Sequence, residues 1–153
     1  MITASHLHAM LVHFPIALLI VGFLFDLASA IGNRLFFQKA GLFLLILGTI
    51  GAMAAYLSGK AAGAGMEEGS LGRAAALHEQ AAAITAWGSV GVSLLRLAFA
   101  ALNRYEGRFR LLNLLLFALL IASVARTGYL GGQLVFRHAA GVELNISALT
   151  DTE

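Results

Sequence analysis

The chain reads as an all-α integral-membrane protein, a single four-helix bundle running up and down through the bilayer. Three observations carry this reading. Of 153 residues, 59% are hydrophobic and only 12% are charged, against about 25% charged in an ordinary soluble domain. Mean hydropathy is +0.85. Four apolar segments approach or exceed the roughly 20 residues needed to cross a hydrocarbon core. Most faces of each segment are apolar, as expected of helices surrounded by lipid.

The first span runs from about residue 11 to 31 and is interrupted only by His13, Pro15 and Asp26. The second, residues 40–57, carries no charge. The third, residues 78–102, opens on His78 and holds Arg96. The fourth, residues 111–137, holds Arg126. Residues 32–38 and 103–110 read as tight turns, and residues 59–77 as a longer Gly/Ala-rich loop with Glu67 and Glu68. A polar tail follows Glu143. The whole chain, 1–153, is expected to form one domain. The first apolar run lacks a basic start and is too long for a cleavable signal peptide. Gly48 with Gly51, and Gly128 with Gly132, suit close helix contacts of the small-residue type.

Basic residues in short loops orient membrane proteins. Arg34, Lys39, Arg104, Arg108 and Arg110 share one side, with Glu106 as its loop acid. The other side carries Lys60, Arg73 and Arg137 against Glu67, Glu68, Glu79, Glu143, Asp151 and Glu153. The expectation is a multi-pass protein of a bacterial inner membrane, with the two short turns cytoplasmic and both termini periplasmic.

Composition also excludes chemistry. There is no cysteine, so disulfides, thiolate metal sites, cysteine nucleophiles and c-type haem attachment are absent. A net charge of +2 and a pI near 9.4 rest on few groups and point to no nucleic-acid partner. No Ser-His-Asp order, carboxylate pair near a histidine cluster or phosphate loop is evident, which favours an electron-transfer protein or subunit over a stand-alone enzyme.

The five histidines carry the functional reading. Under the four-span topology His8, His13, His78 and His138 all fall near the outer face, delivered by three helices. Ionisable groups near membrane depth are costly and usually functional. His8 and His13 are five residues apart, about 140° around a helix and about 7.5 Å along it. They are poorly placed to grip one ion together and read as members of two sites, or as one ligand and one supporting group. His6 reads as interfacial. Below His78, Ala82, Thr85 and Ser89 follow at helical spacing; Gly128 and Gly131 share a side with His138. Small residues beneath a histidine either open a slot for a flat ring, as for bis-imidazole haem b between helices, or merely allow close packing. By depth, His13 pairs with His78 and His8 with His138.

Other polar groups leave alternatives open. Pro15 either bends the helix and aims His13 inward or marks the first helical turn. Asp26 and Arg96, at similar depth, form an ion pair or a proton relay. Arg126, Tyr129, Gln133 and Arg137 make a polar stripe that suits haem propionates, a quinone pocket or a partner subunit. Glu79 either orients an imidazole or complements a helix dipole.

The strings LHAMLVHFPIALLIVGFLFDL and TGYLGGQLVFRHAAGV resemble a bacterial family of four-helix membrane proteins labelled domain of unknown function 2231, over nearly the whole chain. The matching positions are His8, His13, Phe14, Pro15, His78, Gly131, Gly132, His138 and Gly141; Ala9 departs from the family's usual proline. The family is similar to diheme b-type membrane cytochromes in helix count and histidine placement. The resemblance implies membrane electron transfer. The leading expectation is one or two haem b groups on His8, His13, His78 and His138, with Arg126 of the polar stripe as a cofactor contact, exchanging electrons between a quinone and periplasmic redox proteins. A copper, zinc or iron site and a cofactor-free assembly subunit are the competing expectations.

Overall fold

A computed structural model describes residues 3–32, 34–66 and 68–142. Glu67 and the tail with Glu143, Asp151 and Glu153 lie outside the described residues. Four helices follow one another: α1 (Ala4–Gly32), α2 (Leu35–Ala62), α3 (Gly69–Ala101) and α4 (Gly107–His138). Each is long and apolar enough to cross a membrane. The fold is an all-α membrane bundle, as expected.

Every helix outruns the span read from hydropathy. The apolar stretch marks only the part that lipid solvates, and backbone hydrogen bonding continues into the more polar flanks. The expected loop at 59–77 shrinks to residues 63–68. Its ends, Ala61–Ala62 and Ala74–Ala76, are alanine, the residue with the highest helix propensity. The other connections are 33–34 and 102–106. Connections this short make chain neighbours antiparallel, so the helices form a ring in which each packs on the one before and the one after, with α1 against α4. Ser5 and Gly141 meet at one end of the bundle; the 33–34 and 102–106 connections lie at the other.

The α1–α2 seam depends on glycine. A Cβ at Gly48 would come within 2.7 Å of Leu19, and one at Gly51 within 3.2 Å of Pro15. Without Cβ atoms the two backbones approach closely, and dispersion replaces the hydrophobic effect as the force between helices in lipid. Pro15 therefore sits inside α1, not at its first turn, and its buried ring is seated on Gly51. Gly128 and Gly132 differ: nothing lies within 4 Å of a Cβ placed on either. They do not form the expected close contact within the chain. Leu19, Leu45, Val92, Phe117, Leu120 and Val124 fill the centre, with at least one from each helix. Phe14, Phe43, Trp87 and Leu119 point outward, where lipid rather than water is their solvent.

A polar knot locks the loop end of the bundle. Arg96 and Asp26 form an ion pair at 2.6 Å, each side chain 1% exposed. Arg96 also donates to the Gln38 carbonyl at 2.9 Å and to the Tyr105 hydroxyl. Its guanidinium carbon lies 3.5 Å from the centre of the Tyr105 ring. The knot ties α1, α2, α3 and the 102–106 connection together. Burial is the main reason the Tyr105 phenol is pushed up to about 12, and the neighbouring Asp26 charge adds to it. A raised phenol pKa means the folded state keeps its proton longer than the unfolded chain does. The corresponding stability is complete below pH 10 and is lost as pH rises towards 12. Detergent-solubilised protein should therefore lose thermal stability more steeply between pH 10 and about 12 than the Tyr105→Phe variant, measured in parallel melts. Equal slopes would mean that Tyr105 ionisation is not coupled to folding.

A candidate cofactor site at the histidine end

Two histidines converge at the other end of the bundle, and they are not the pair expected from depth. His8 of α1 and His78 of α3 have ring centres 6.4 Å apart, with their planes inclined at 76°. Each imidazole is admitted by a glycine on the next helix. A Cβ on Gly59 would lie 2.9 Å from His8 Cε1, and one on Gly131 would lie 3.0 Å from His78 Cε1. Gly131 thus serves His78 rather than His138, because α3 and α4 are antiparallel neighbours.

Hydrogen bonds hold both rings through Nδ1. Ser58 Oγ donates to the Ala55 carbonyl at 3.0 Å, which commits its single hydrogen. His8 Nδ1 lies 3.1 Å from that oxygen and donates to it in the tautomer that keeps the Ser58–Ala55 bond. His78 Nδ1 is 3.2 Å from the Thr127 carbonyl, which can only accept. A neutral His78 therefore carries its hydrogen on Nδ1 and keeps a lone pair on Nε2, and His8 does the same when it donates to Ser58. An imidazole oriented through its other nitrogen in this way is the usual arrangement for a metal ligand.

Beneath His78 the support continues as a hydroxyl cluster. Thr85 Oγ1 lies 2.7 Å from Ser123 Oγ and 2.9 Å from Thr127 Oγ1, and Thr127 donates to the Ser123 carbonyl at 2.9 Å. The expected small residues under His78 are therefore divided in role. Ala82 lines open space. Thr85 fastens α3 to α4, and Ser89, 0% exposed, returns its hydroxyl hydrogen to the Ala86 carbonyl.

The two rings face a cavity of about 700 Å³, within the roughly 300–1,000 Å³ typical of small-molecule and cofactor sites. Much of its wall is small: Ala55, Gly59, Gly63, Gly72, Ala75 and Gly131. His6 edges it and is hydrogen-bonded to Thr3 at 3.1 Å. Lys60 and Glu79 line it as well, 3.9 Å apart and both half exposed. Glu79 lies ten residues inside α3, so it partners Lys60 and does not complement a helix start.

The remaining expected site residues lie elsewhere. His13 is exposed on α1, and its Nδ1 bonds the Ala9 carbonyl of its own helix at 2.7 Å. Pro15 does not turn it inward. His138 is half-buried at the end of α4 and does not line the cavity. Arg126, Tyr129 and Arg137 are exposed, and Arg126 lies outside the cavity wall. Sequence reasoning missed Ser58, Gly59 and Thr127 as supports, and Lys60 as the cation at the cavity. Their signal was present as spacing: Ser58, Gly59 and Lys60 close α2 at the level where His8 opens α1. Assigning residues 59–77 to a loop hid it. Among the described residues, no group of three or more His, Asp or Glu side chains is placed to share a metal ion.

No curated protein and no solved structure matches the chain. Residues 4–144 match the family model described as predicted membrane protein (DUF2231). That span covers all four helices and both histidines of the cavity, and the chain belongs to this family of multi-pass membrane proteins.

Proposed function

We propose that the protein binds a b-type haem between His8 and His78 and carries electrons. The observation that carries the reading is the pair itself: two hydrogen-bonded imidazoles from different helices facing one cavity, with no third metal ligand grouped with them among the described residues. A bare zinc or copper ion draws three or four ligands from the protein. An iron porphyrin asks for only two, because the macrocycle supplies the rest.

The 6.4 Å between ring centres would let the two imidazoles hold one metal-centred group between them. The small side chains of the wall leave room for a flat ring, and Lys60 offers a cation for a propionate. One haem per chain is the expected load on this reading, since His13 and His138 do not line the cavity.

The bound haem would supply reversible one-electron chemistry. The chain's own contribution is to hold the two Nε2 lone pairs, fix the rings through Ser58 and Thr127, and line the site with apolar groups. The asymmetry of basic residues supports an inner membrane with this cavity on the periplasmic side. There it would exchange electrons between a quinone and a periplasmic carrier, as a subunit of a redox complex and in the manner of b-type cytochromes. The test is the absorption spectrum of detergent-purified protein, oxidised and then reduced with dithionite. The expected result is a Soret band with the sharp reduced α and β bands of six-coordinate haem b, at one haem per chain. A featureless spectrum from cells well supplied with haem would reject the reading and leave a metal or assembly role.

A further inference from the structure

The histidine cavity has one wall that the haem reading does not use, the seam between α1 and α4. These two helices are the one neighbouring pair in the ring that no connection joins, and their seam is the most lightly packed of the four. The other seams are fastened. Glycines seat α2 on α1, Thr49 bonds Ser93 between α2 and α3 at 2.8 Å, and Thr85 bonds Ser123 and Thr127 between α3 and α4.

Helix geometry shows where the α1–α4 seam parts. Ser5 and Phe23 are about five full turns apart, so they lie on one face of α1. Both reach α4: Phe23 meets Phe117 with ring centres 5.6 Å apart, and Ser5 meets Gly141. About 27 Å of α1 runs between these two contacts. Ala9 and Ile16, within about 40° of the same face, are exposed in that interval. On α4, Phe117, Val124, Gly128 and Val135 fall within about 40° of one another. Phe117 and Val124 are buried, whereas Gly128 is exposed and Val135 is 46% exposed. Nothing lies within 4 Å of a Cβ placed on Gly128 or Gly132. One continuous helix face is therefore core at the Phe23 level and open towards the histidines. The gap meets the cavity, because Ala9 and Val135, one from each side of the seam, are both part of the cavity wall.

We propose that the histidine cavity opens sideways into the bilayer between α1 and α4 and takes its ligand from the membrane. The ligand class is then a flat, lipid-soluble molecule rather than a hydrated ion. A gap bordered by Ala9, Ile16, Gly128 and Val135 offers no polar side chain to replace an ion's water, and stripping that water without replacement is costly. An apolar molecule already dissolved in lipid meets no such barrier. A seam with few buried contacts also opens locally at low cost, and α1 and α4, at the two ends of the chain, are free of a linking loop. The proposal rests on reading this cavity as a ligand site. On the redox reading the ligand is the haem itself.

Thiol labelling of the full-length protein in lipid vesicles tests the route without haem. The chain has no cysteine, so a single introduced one reports alone. Ala82→Cys places a thiol in the cavity wall, and Leu119→Cys places one on the lipid-facing surface. The reagents are a lipid-soluble pyrenyl maleimide and a membrane-impermeant sulfonated maleimide. The pyrenyl reagent should label both cysteines. Adding Gly132→Phe fills the gap, and a side chain that must be moved aside at a cost of about 1.4 kcal/mol slows entry about tenfold. That slowing should appear at Ala82→Cys with the pyrenyl reagent only, and Leu119→Cys should react as before. Gly128→Leu should act in the same way and decides if Gly132→Phe does not fold. An Ala82→Cys thiol that ignores the pyrenyl reagent, unchanged rates in the foldable variants, or equal slowing of both reagents would overturn the proposal. Such a failure would close the lateral route and leave the haem reading standing. A featureless absorption spectrum would reject haem and leave the route to another membrane-dissolved ligand.

Discussion

His78→Ala and His8→Ala each abolish the six-coordinate haem spectrum, whereas His13→Ala and His138→Ala leave it intact. That is the expected outcome of a four-variant series, and it rests on the geometry of one cavity. His8 and His78 are the two imidazoles brought to 6.4 Å of each other; His13 bonds its own helix and His138 lies off the cavity wall. Losing one of the two imidazoles that would hold the haem should change the reduced α band or lower the haem-to-chain ratio. The series also separates ligand from scaffold. Thr85→Val removes the hydroxyl that fastens α3 to α4 and should lower thermal stability without moving the band positions. Loss of the spectrum in His13→Ala with retention in His8→Ala would instead favour the pairing suggested by depth.

Asp26→Asn destabilises the protein by about 3–5 kcal/mol, because it strands the Arg96 guanidinium in a dry interior. Both side chains are 1% exposed and 2.6 Å apart, so neither can reach solvent when its partner is lost. Arg96→Leu leaves a buried carboxylate and should cost a similar amount. The paired replacement Asp26→Leu with Arg96→Leu should recover much of that loss, since no unpaired charge remains; coupling of this kind is what a double-mutant cycle measures. The readout is the midpoint of detergent-induced unfolding. Additive losses in the double variant would show that the two charges act separately.

The proximity of Gly41 sharpens the case. A Cβ there would come within 2.5 Å of Asp26 Oδ1 and 3.2 Å of the Gly22 carbonyl. The absent Cβ of Gly41 thus leaves the space that Asp26 Oδ1 occupies between α1 and α2. The knot and the histidine cavity lie at opposite ends of one bundle.

The sequence by itself determined the membrane fold, because a lipid-facing helix must be apolar on nearly every exposed face and that requirement is visible residue by residue. It also pointed to the Asp26–Arg96 pair, since two opposite charges at one depth have little alternative to each other. It placed His8 and His78 at one end, because depth follows from counting along a helix. Which histidines meet was beyond it. Depth gives one coordinate, and contact needs the rotation of each helix about its axis, which is set by packing against neighbours. The glycines show why. Gly59 and Gly131 read as small residues among 17 glycines, and only the ring order of the helices puts one against His8 and the other against His78. Tyr105 and Lys60 were hidden for a related reason. Both lie at helix ends, where hydropathy changes slowly, and their partners Arg96 and Glu79 come from elsewhere in the chain.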